Sequence, residues 1–336
     1  VATIKDVAKA AGVSFKTVSR VVNGEKRVGA EARERVQQAI RDLGYKPTLA
    51  ARQLAGQRSY LIGLVVLGSG ISYISRMMIA MGSACRDRGY NLITATLDYK
   101  QHNASDTVAI SFSARPDSVI LTPPYCNDQR ILDHFEREKI AVVRVAAVTE
   151  GYGLTVPVNE EPCALELMRH LLGLGHKRIG IIAPPLPRRA SEARLEAYCK
   201  ALDEAGIAFD PDLVLRGDFS FAAGVQATTS LMALPDRPTA IFATGDEMAA
   251  GVLAEAARLG YRVPDDLAVA GFDDSPIARM VFPPLTTVHQ PVPDIARAAV
   301  EAAINPAFQP QPFSYQLIIR GSTDGSRQHC LEPYPF

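Results

Sequence analysis

Residues 3–23 read TIKDVAKAAGVSFKTVSRVVN. Thr3 and Asp6 stand at the spacing of a capping box, in which each side chain satisfies a free amide at a helix start, so a helix is predicted from Ile4. Ile4, Val7, Ala8 and Ala11 recur at helical spacing and form its buried stripe. Gly12 then permits a turn, and Ser14 can cap a second helix running from Phe15 to about Asn23. Val18, Val21 and Val22 supply the apolar side of that helix. Phe15, Lys16, Thr17, Ser19, Arg20 and Asn23 are left at its start and outer face. Two short helices about a tight turn make a helix-turn-helix unit.

Such a hairpin is also compatible with an ordinary helical pair bearing a solvated face, and the charge distribution separates the two readings. Residues 1–58 hold 12 Lys and Arg against 5 Asp and Glu, a balance of +7, inside a chain whose formal net charge is zero. The basic excess coincides with the hairpin. Phosphate contacts supply most sequence-independent affinity for DNA, and a compact basic segment is what they need.

Five blocks carry a resemblance over nearly the full length: TIKDVAKAAGVSFKTVSRVVNG at the start, YKPTLAARQLAGQRS from 45, LGHKRIGIIA from 174, GFDDSPIAR from 271 and PPLTTVHQP from 283. Together they make the chain resemble a LacI/GalR-family bacterial transcription repressor. The resemblance implies an all-α helix-turn-helix DNA-binding domain at 1–46 and a hinge helix and linker at 47–59. After them it implies an α/β two-subdomain, periplasmic-binding-protein-like core at 60–336. The first subdomain would take about 60–157 and 291–319 and the second about 158–290 and 320–336, with three crossover strands as the hinge.

The residues read independently in the same direction. A third helix is predicted from about Glu31 to Leu43, stopped at Gly44, with Val36, Ile40 and Leu43 inward. Pro47 breaks the chain, and Leu49 to Ala55 is too short for a stable free helix. From Tyr60, short apolar runs alternate with amphipathic helices, the pattern of parallel sheets covered on both faces. The strand candidates are 61–66, 92–95, 119–121, 141–145, 178–183, 213–215, 240–243 and 267–270, with a last one at 317–320. DRGY at 87, EAGI at 204 and RLGY at 258 read as helix ends with a left-handed glycine and an apolar residue folding back.

Composition sets limits. The 336 residues are 47% apolar and 21% charged, a soluble globular balance with room for two or three cores. No apolar run approaches a membrane span and no secretion signal is present, so a cytoplasmic protein is expected. Cys85, Cys126, Cys163, Cys199 and Cys330 lack paired spacing, which suggests small buried apolar residues instead of disulfides or a zinc site. No cofactor or metal is expected.

In the recognition helix, Phe15, Lys16 and Arg20 match the family's base-reading positions. Arg20 can bind guanine O6 and N7, Lys16 can reach guanine or phosphate, and Phe15 offers apolar contact to a thymine methyl. Ser14, Thr17, Ser19 and Asn23 suit phosphate contacts. By the resemblance, paired hinge helices enter the minor groove, Leu54 wedges between base steps and Ala51 lies on the groove floor; docking of Leu54 onto the core is the alternative.

Ligands in open α/β sheets bind beyond the carboxyl ends of strands. Asp273, Arg194 and Phe219 follow strands and match family ligand positions; a carboxylate and a guanidinium hold hydroxyls while an aromatic face covers a sugar or base. Tyr73, Ile74, Thr122, Arg188 and Asp246 are secondary candidates. A rim salt bridge between Arg194 and Asp273 and core packing of Phe219 are the plainer alternatives. Gly245 stands where many relatives carry a polar side chain. The expected partners are a palindromic operator in double-stranded DNA, a second copy of the chain, and a small-molecule effector, a sugar or glycoside ahead of a purine or nucleoside.

An enzyme would need a catalytic constellation, yet no Gly-x-Ser-x-Gly, Gly-x-x-x-x-Gly-Lys or His-Glu-x-x-His pattern occurs, and the six histidines are scattered. His176 reads as a structural loop residue. A secreted solute-binding protein would share the cleft but lack the basic head.

Overall fold

The computed structural model describes residues 2–22, 27–45, 58–67, 71–97, 110–184 and 189–325. Asn23, Ala51, Leu54, Arg188 and Cys330 lie outside the described residues. The chain divides into two compact units, Val1–Leu61 with Ala114–Asp117, and Ile62–Ser113 with Ser118–Phe336.

In the first unit, α1 (Ile4–Ala11), α2 (Phe15–Val22) and α3 (Ala30–Leu43) enclose a core of Val7, Val18 and Val36, each fully buried, with Ala8, Ala11, Val21, Ala39 and Tyr45 around them. The capping box is present: Thr3 N donates to Asp6 Oδ2 at 2.8 Å, and Asp6 N donates to Thr3 Oγ1. Gly12 takes φ 63° and lets Val13 N return to Ala8 O at 3.0 Å. Leu43, expected inside, is 40% exposed. It sits in the last turn before the left-handed Gly44, and Tyr45 folds back through its amide to Ile40 O and fills that part of the core instead.

The second unit has two parallel sheets. The first lobe orders its strands β2-β1-β3-β4-β5: β1 (Leu61–Leu67), β2 (Asn91–Leu97), β3 (Ser118–Leu121), β4 (Ala141–Val145) and β5 (Leu154–Val156). The second orders them β7-β6-β8-β9: β6 (Ile179–Ala183), β7 (Val214–Arg216), β8 (Ala240–Ala243) and β9 (Ala268–Ala270). Each order reverses once, between β1 and β3 and between β6 and β8, which places a crevice at those strand ends. The helices DRGY, EAGI and RLGY end as expected, with Gly89, Gly206 and Gly260 left-handed and the amides of Tyr90, Ile207 and Tyr261 returning to Cys85, Leu202 and Ala256.

β5 and β10 (Thr287–His289) were not among the expected strands; three residues each leave no alternation to detect. β10 pairs antiparallel with β11 (Gln316–Ile318) as a separate ribbon. That ribbon packs on the helix Glu161–Gly173 of the second lobe, so 316–318 does not join the first lobe's sheet as expected. The intervening helix Val292–Ile304 packs instead on the first lobe, against β3, β4 and the helix Ile71–Asp87. The chain therefore passes between lobes near 157–160, near 289–291 and between 304 and 316. Cys85, Cys126 and Cys163 are buried, but Cys199 is exposed, on the outer face of the helix Arg189–Glu204.

Candidate functional site

Of the residues expected at DNA, Ser14 to Arg20 lie at the start and along the outer side of α2. Phe15 is 63% exposed, an unusual position for a large apolar ring, and Lys16 is exposed beside it. Thr17, Ser19 and Arg20 are half-buried, where the helix turns toward its apolar side. Ser14 caps the helix by accepting from Thr17 N at 3.2 Å, and its hydroxyl lies 3.0 Å from Thr17 Oγ1. The start of α2 is thus fixed by the same two hydroxyls expected at phosphates.

At the crevice, Arg194 lies in the second turn of the helix Arg189–Glu204 and reaches inward. Its Nε donates to Glu160 Oε2 at 2.8 Å and its Nη1 to Thr244 O, while Nη2 stands 3.8 Å from Asp273 Oδ1. The guanidinium stacks 3.8 Å from the centroid of Phe272. Burial alone discourages its charge, but Glu160 and Asp273 outweigh that and hold it cationic. The plainer alternative, a salt bridge exposed at a cleft rim, does not describe this pair, which is buried.

Asp273 is held in an uncommon backbone conformation, φ 119°, by its amide to Val288 O and by Gln290 Nε2, which donates to Oδ1. Burial lifts its carboxyl to about 7; Arg194 opposes this, and Glu247 and Glu160 add to it. Asp274, next in the chain, is spent on structure. It accepts from Arg320 at 2.7 Å and Arg279 at 3.0 Å and meets His289 Nδ1 at 3.0 Å. Burial would raise its pKa, but these three partners pull it far below the ordinary range.

Phe219 also takes positive φ, 67°, and its ring packs beside Gly245, where an added Cβ would lie 3.1 Å from Cδ1. The glycine at 245 is thereby explained: the aromatic ring occupies the room a polar side chain would need. Asp246 does not line the crevice. Fully buried, it accepts from Ser275 N and Thr287 Oγ1, both at 2.7 Å, and burial followed by the neighbouring Asp273 pushes its carboxyl well up. It joins the loop after β9 to the crossover, a role that position after a strand does not distinguish from ligand contact. Thr122 is buried beneath its own turn, accepting Cys126 N at its carbonyl, and its hydroxyl bonds nothing.

From the first lobe, the helix Ile71–Asp87 brings Tyr73 and Ile74, both half-buried. Tyr73 is pushed up in pKa by burial and then by Glu160 and Asp273, so it stands in the same cluster. The same helix touches the opposite lobe: Arg76 Nη1 donates to Asp273 O at 2.9 Å, and Ser72 hydrogen-bonds to Glu247. Glu160, Glu247, Gln290, Tyr315 and Arg76 were not foreseen. They come from crossovers and helix starts far apart in sequence. The only local signal was the acidic pair before Pro162, which reads equally as a favourable helix N-terminus. His176 is structural, with Nδ1 2.9 Å from Thr239 Oγ1.

Among the described residues no group of His, Cys, Asp and Glu is placed to hold a metal ion, and no helix is long and apolar enough to cross a membrane. The arrangement is a polar crevice at two sheet reversals, joined to a basic three-helix head.

Comparison with known proteins agrees. Residues 3–48 match the family described as bacterial regulatory proteins, lacI family, and residues 168–323 match a periplasmic binding protein-like domain. The ribose operon repressor of Haemophilus influenzae is 32% identical over 95% of this chain and 96% of its own length. The HTH-type transcriptional repressor PurR of Proteus mirabilis is 34% identical over 86% of each. The Lac repressor dimer bound to operator and the anti-inducer ONPF superposes with TM-score 0.74 and 28% identity, covering 96% of this chain and 99% of the other. The CelR–cellobiose complex gives 0.67 and 29%, over 96% and 100%. The chain belongs to the LacI family, and it is a DNA-binding transcriptional repressor governed by a small-molecule effector.

Proposed function

We propose that this repressor binds a near-palindromic operator as a homodimer in the cytoplasm. Phe15, Lys16 and Arg20 read bases, and a neutral sugar held between the lobes by Arg194, Asp273, Phe219 and Tyr73 controls release. The carrying observation is the buried Arg194, set between Glu160 and Asp273 where both sheets reverse. A charged fork and a carboxylate so placed can grip adjacent hydroxyls, and Phe219 offers the apolar ring face a sugar needs.

Charge selects the class. Glu160, Glu247 and Asp273 outnumber Arg194 and Arg76 among the described residues of the site, which disfavours phosphate or carboxylate ligands. A relative named for the ribose operon and a solved complex with cellobiose point the same way. A purine effector is the second reading, favoured by aromatic side chains at the site, Phe219 and Tyr73 among them.

The lobes already touch through Arg76 and through Ser72 with Glu247, so a ligand acts by changing those contacts and hence the lobe arrangement. The test is thermal unfolding of the whole chain with D-ribose, cellobiose, hypoxanthine and glucose 6-phosphate, followed by operator binding with any compound that raises the melting temperature. A rise with a neutral sugar, accompanied by a changed operator affinity, supports the reading. A rise with the phosphorylated sugar alone removes it.

A further inference from the structure

Two of the three passages between the lobes also wall a cavity of about 510 Å³ outside the effector cluster. Pro157 comes from the first passage, and Pro310, Pro312 and Phe313 from the third; Pro162 and Glu166, on the helix Glu161–Gly173, close it. Its volume falls in the range of small-molecule sites, about 300 to 1,000 Å³.

The lining selects a ligand class. Each proline removes a backbone donor and fixes its φ, so the walls are rigid and weighted toward acceptors. Glu166 is the charged side chain among the described lining residues. Its carboxylate receives the Cys163 thiol at 3.8 Å and forms no ion pair among the described residues. Burial, and after it Glu166, pushes that thiol up to about 12, so Cys163 stays a donor and is no nucleophile. Phe313, half-buried, adds an aromatic ring. A carboxylate without a counter-charge near an aromatic ring suits a cation with a flat apolar body, and it repels anions.

Cavity and cleft share a wall. Asn159 lines the cavity, and the next residue, Glu160, pairs with Arg194 in the cleft. Tyr315 lines the cavity as well, while Glu160, Arg194 and Asp273 act on its hydroxyl. A molecule seated there holds residues 157–159 against 310–315 and so biases the lobe arrangement without meeting the effector. We propose that this cavity is a second ligand site, which takes a small aromatic cation and, by splinting two crossovers, changes operator affinity from outside the effector cleft.

The experiment titrates tryptamine and its neutral counterpart tryptophol by calorimetry into the full chain, Glu166→Gln and Asp273→Asn. Glu166 is exposed, so its amide variant keeps the fold. Tryptamine is expected to bind about 5-fold tighter than tryptophol, an advantage lost in Glu166→Gln and kept in Asp273→Asn. Saturating tryptamine is expected to change the affinity for an operator selected from a random library by about 5-fold or more. Equal binding of the two compounds, or no binding of tryptamine, overturns the inference, and so does an advantage that survives Glu166→Gln. Loss of tryptamine binding in Asp273→Asn places the compound in the effector cleft, and an unchanged operator affinity removes the splint; either result overturns the proposal as well.

Discussion

Arg194 donates through Nε to Glu160 Oε2 at 2.8 Å, with both side chains almost fully removed from solvent. One residue opens the crossover into the second lobe and the other lies 34 residues on, in the helix after β6. The pair therefore ties the hinge to the wall of the cleft.

Breaking a buried pair by deleting one partner leaves an uncompensated charge, at a cost of about 3 to 5 kcal/mol. Glu160→Ala is expected to lower the stability of the core by that order, whereas Glu160→Gln keeps a hydrogen-bond acceptor and loses less. Urea unfolding measures both. Equal stability in the alanine variant and the unaltered chain would show that Asp273 alone suffices for Arg194.

Asp273 gives a pH dependence with a definite sign. Because burial raises its folded pKa to about 7, the folded state keeps a proton that the unfolded state has released above about 4. The cost of burying this carboxylate is absent at low pH, grows as pH rises and is complete above the folded value. The melting temperature of Asp273→Asn relative to the unaltered chain should climb between pH 4 and 7 and then level off. A flat difference over that range would place the carboxyl in its ordinary range. Asp273→Ala should also retain operator binding and lose the response to effector.

In the head, Arg20→Ala should cost about 1 to 3 kcal/mol, concentrated at one base pair of an operator selected from a random library. Binding measured against single-base variants of that operator distinguishes base reading from phosphate contact. An equal loss on every sequence assigns Arg20 to the backbone.

Met280 is 79% exposed and Phe282 70%, two large apolar side chains two positions apart on the second lobe. We expect this patch to seat the second copy of the chain, since paired heads require a two-fold partner. Met280→Glu with Phe282→Ser should shift the protein to monomer in sedimentation and weaken operator binding at least 10-fold. A dimer of undiminished stability would move the interface elsewhere.

What was legible in the sequence was what is local. The Thr3–Asp6 box, the turn at Gly12 and the helix ends at Gly89, Gly206 and Gly260 each depend on four to six consecutive residues, and each formed as read. Leu43 was misplaced because periodicity does not register that a left-handed glycine brings Tyr45 back over the same face. At the site, Arg194 and Asp273 were within reach because each follows a strand. Glu160, Gln290 and Tyr315 were not, since three separate crossovers bring them together and no short pattern joins them. Asp246 shows the converse error: a carboxylate after a strand looked like a ligand group, but fold-specific partners at Ser275 and Thr287 consume it.

Three passages of the chain between the lobes mean that neither lobe is a continuous stretch of the gene. A cassette encoding one ligand-binding half cannot be lifted out at a single break point, since every break within the core leaves at least one half divided. New inducers should accordingly be acquired through point substitutions at the crevice, and engineered chimaeras that preserve the fold will need several coordinated splice sites.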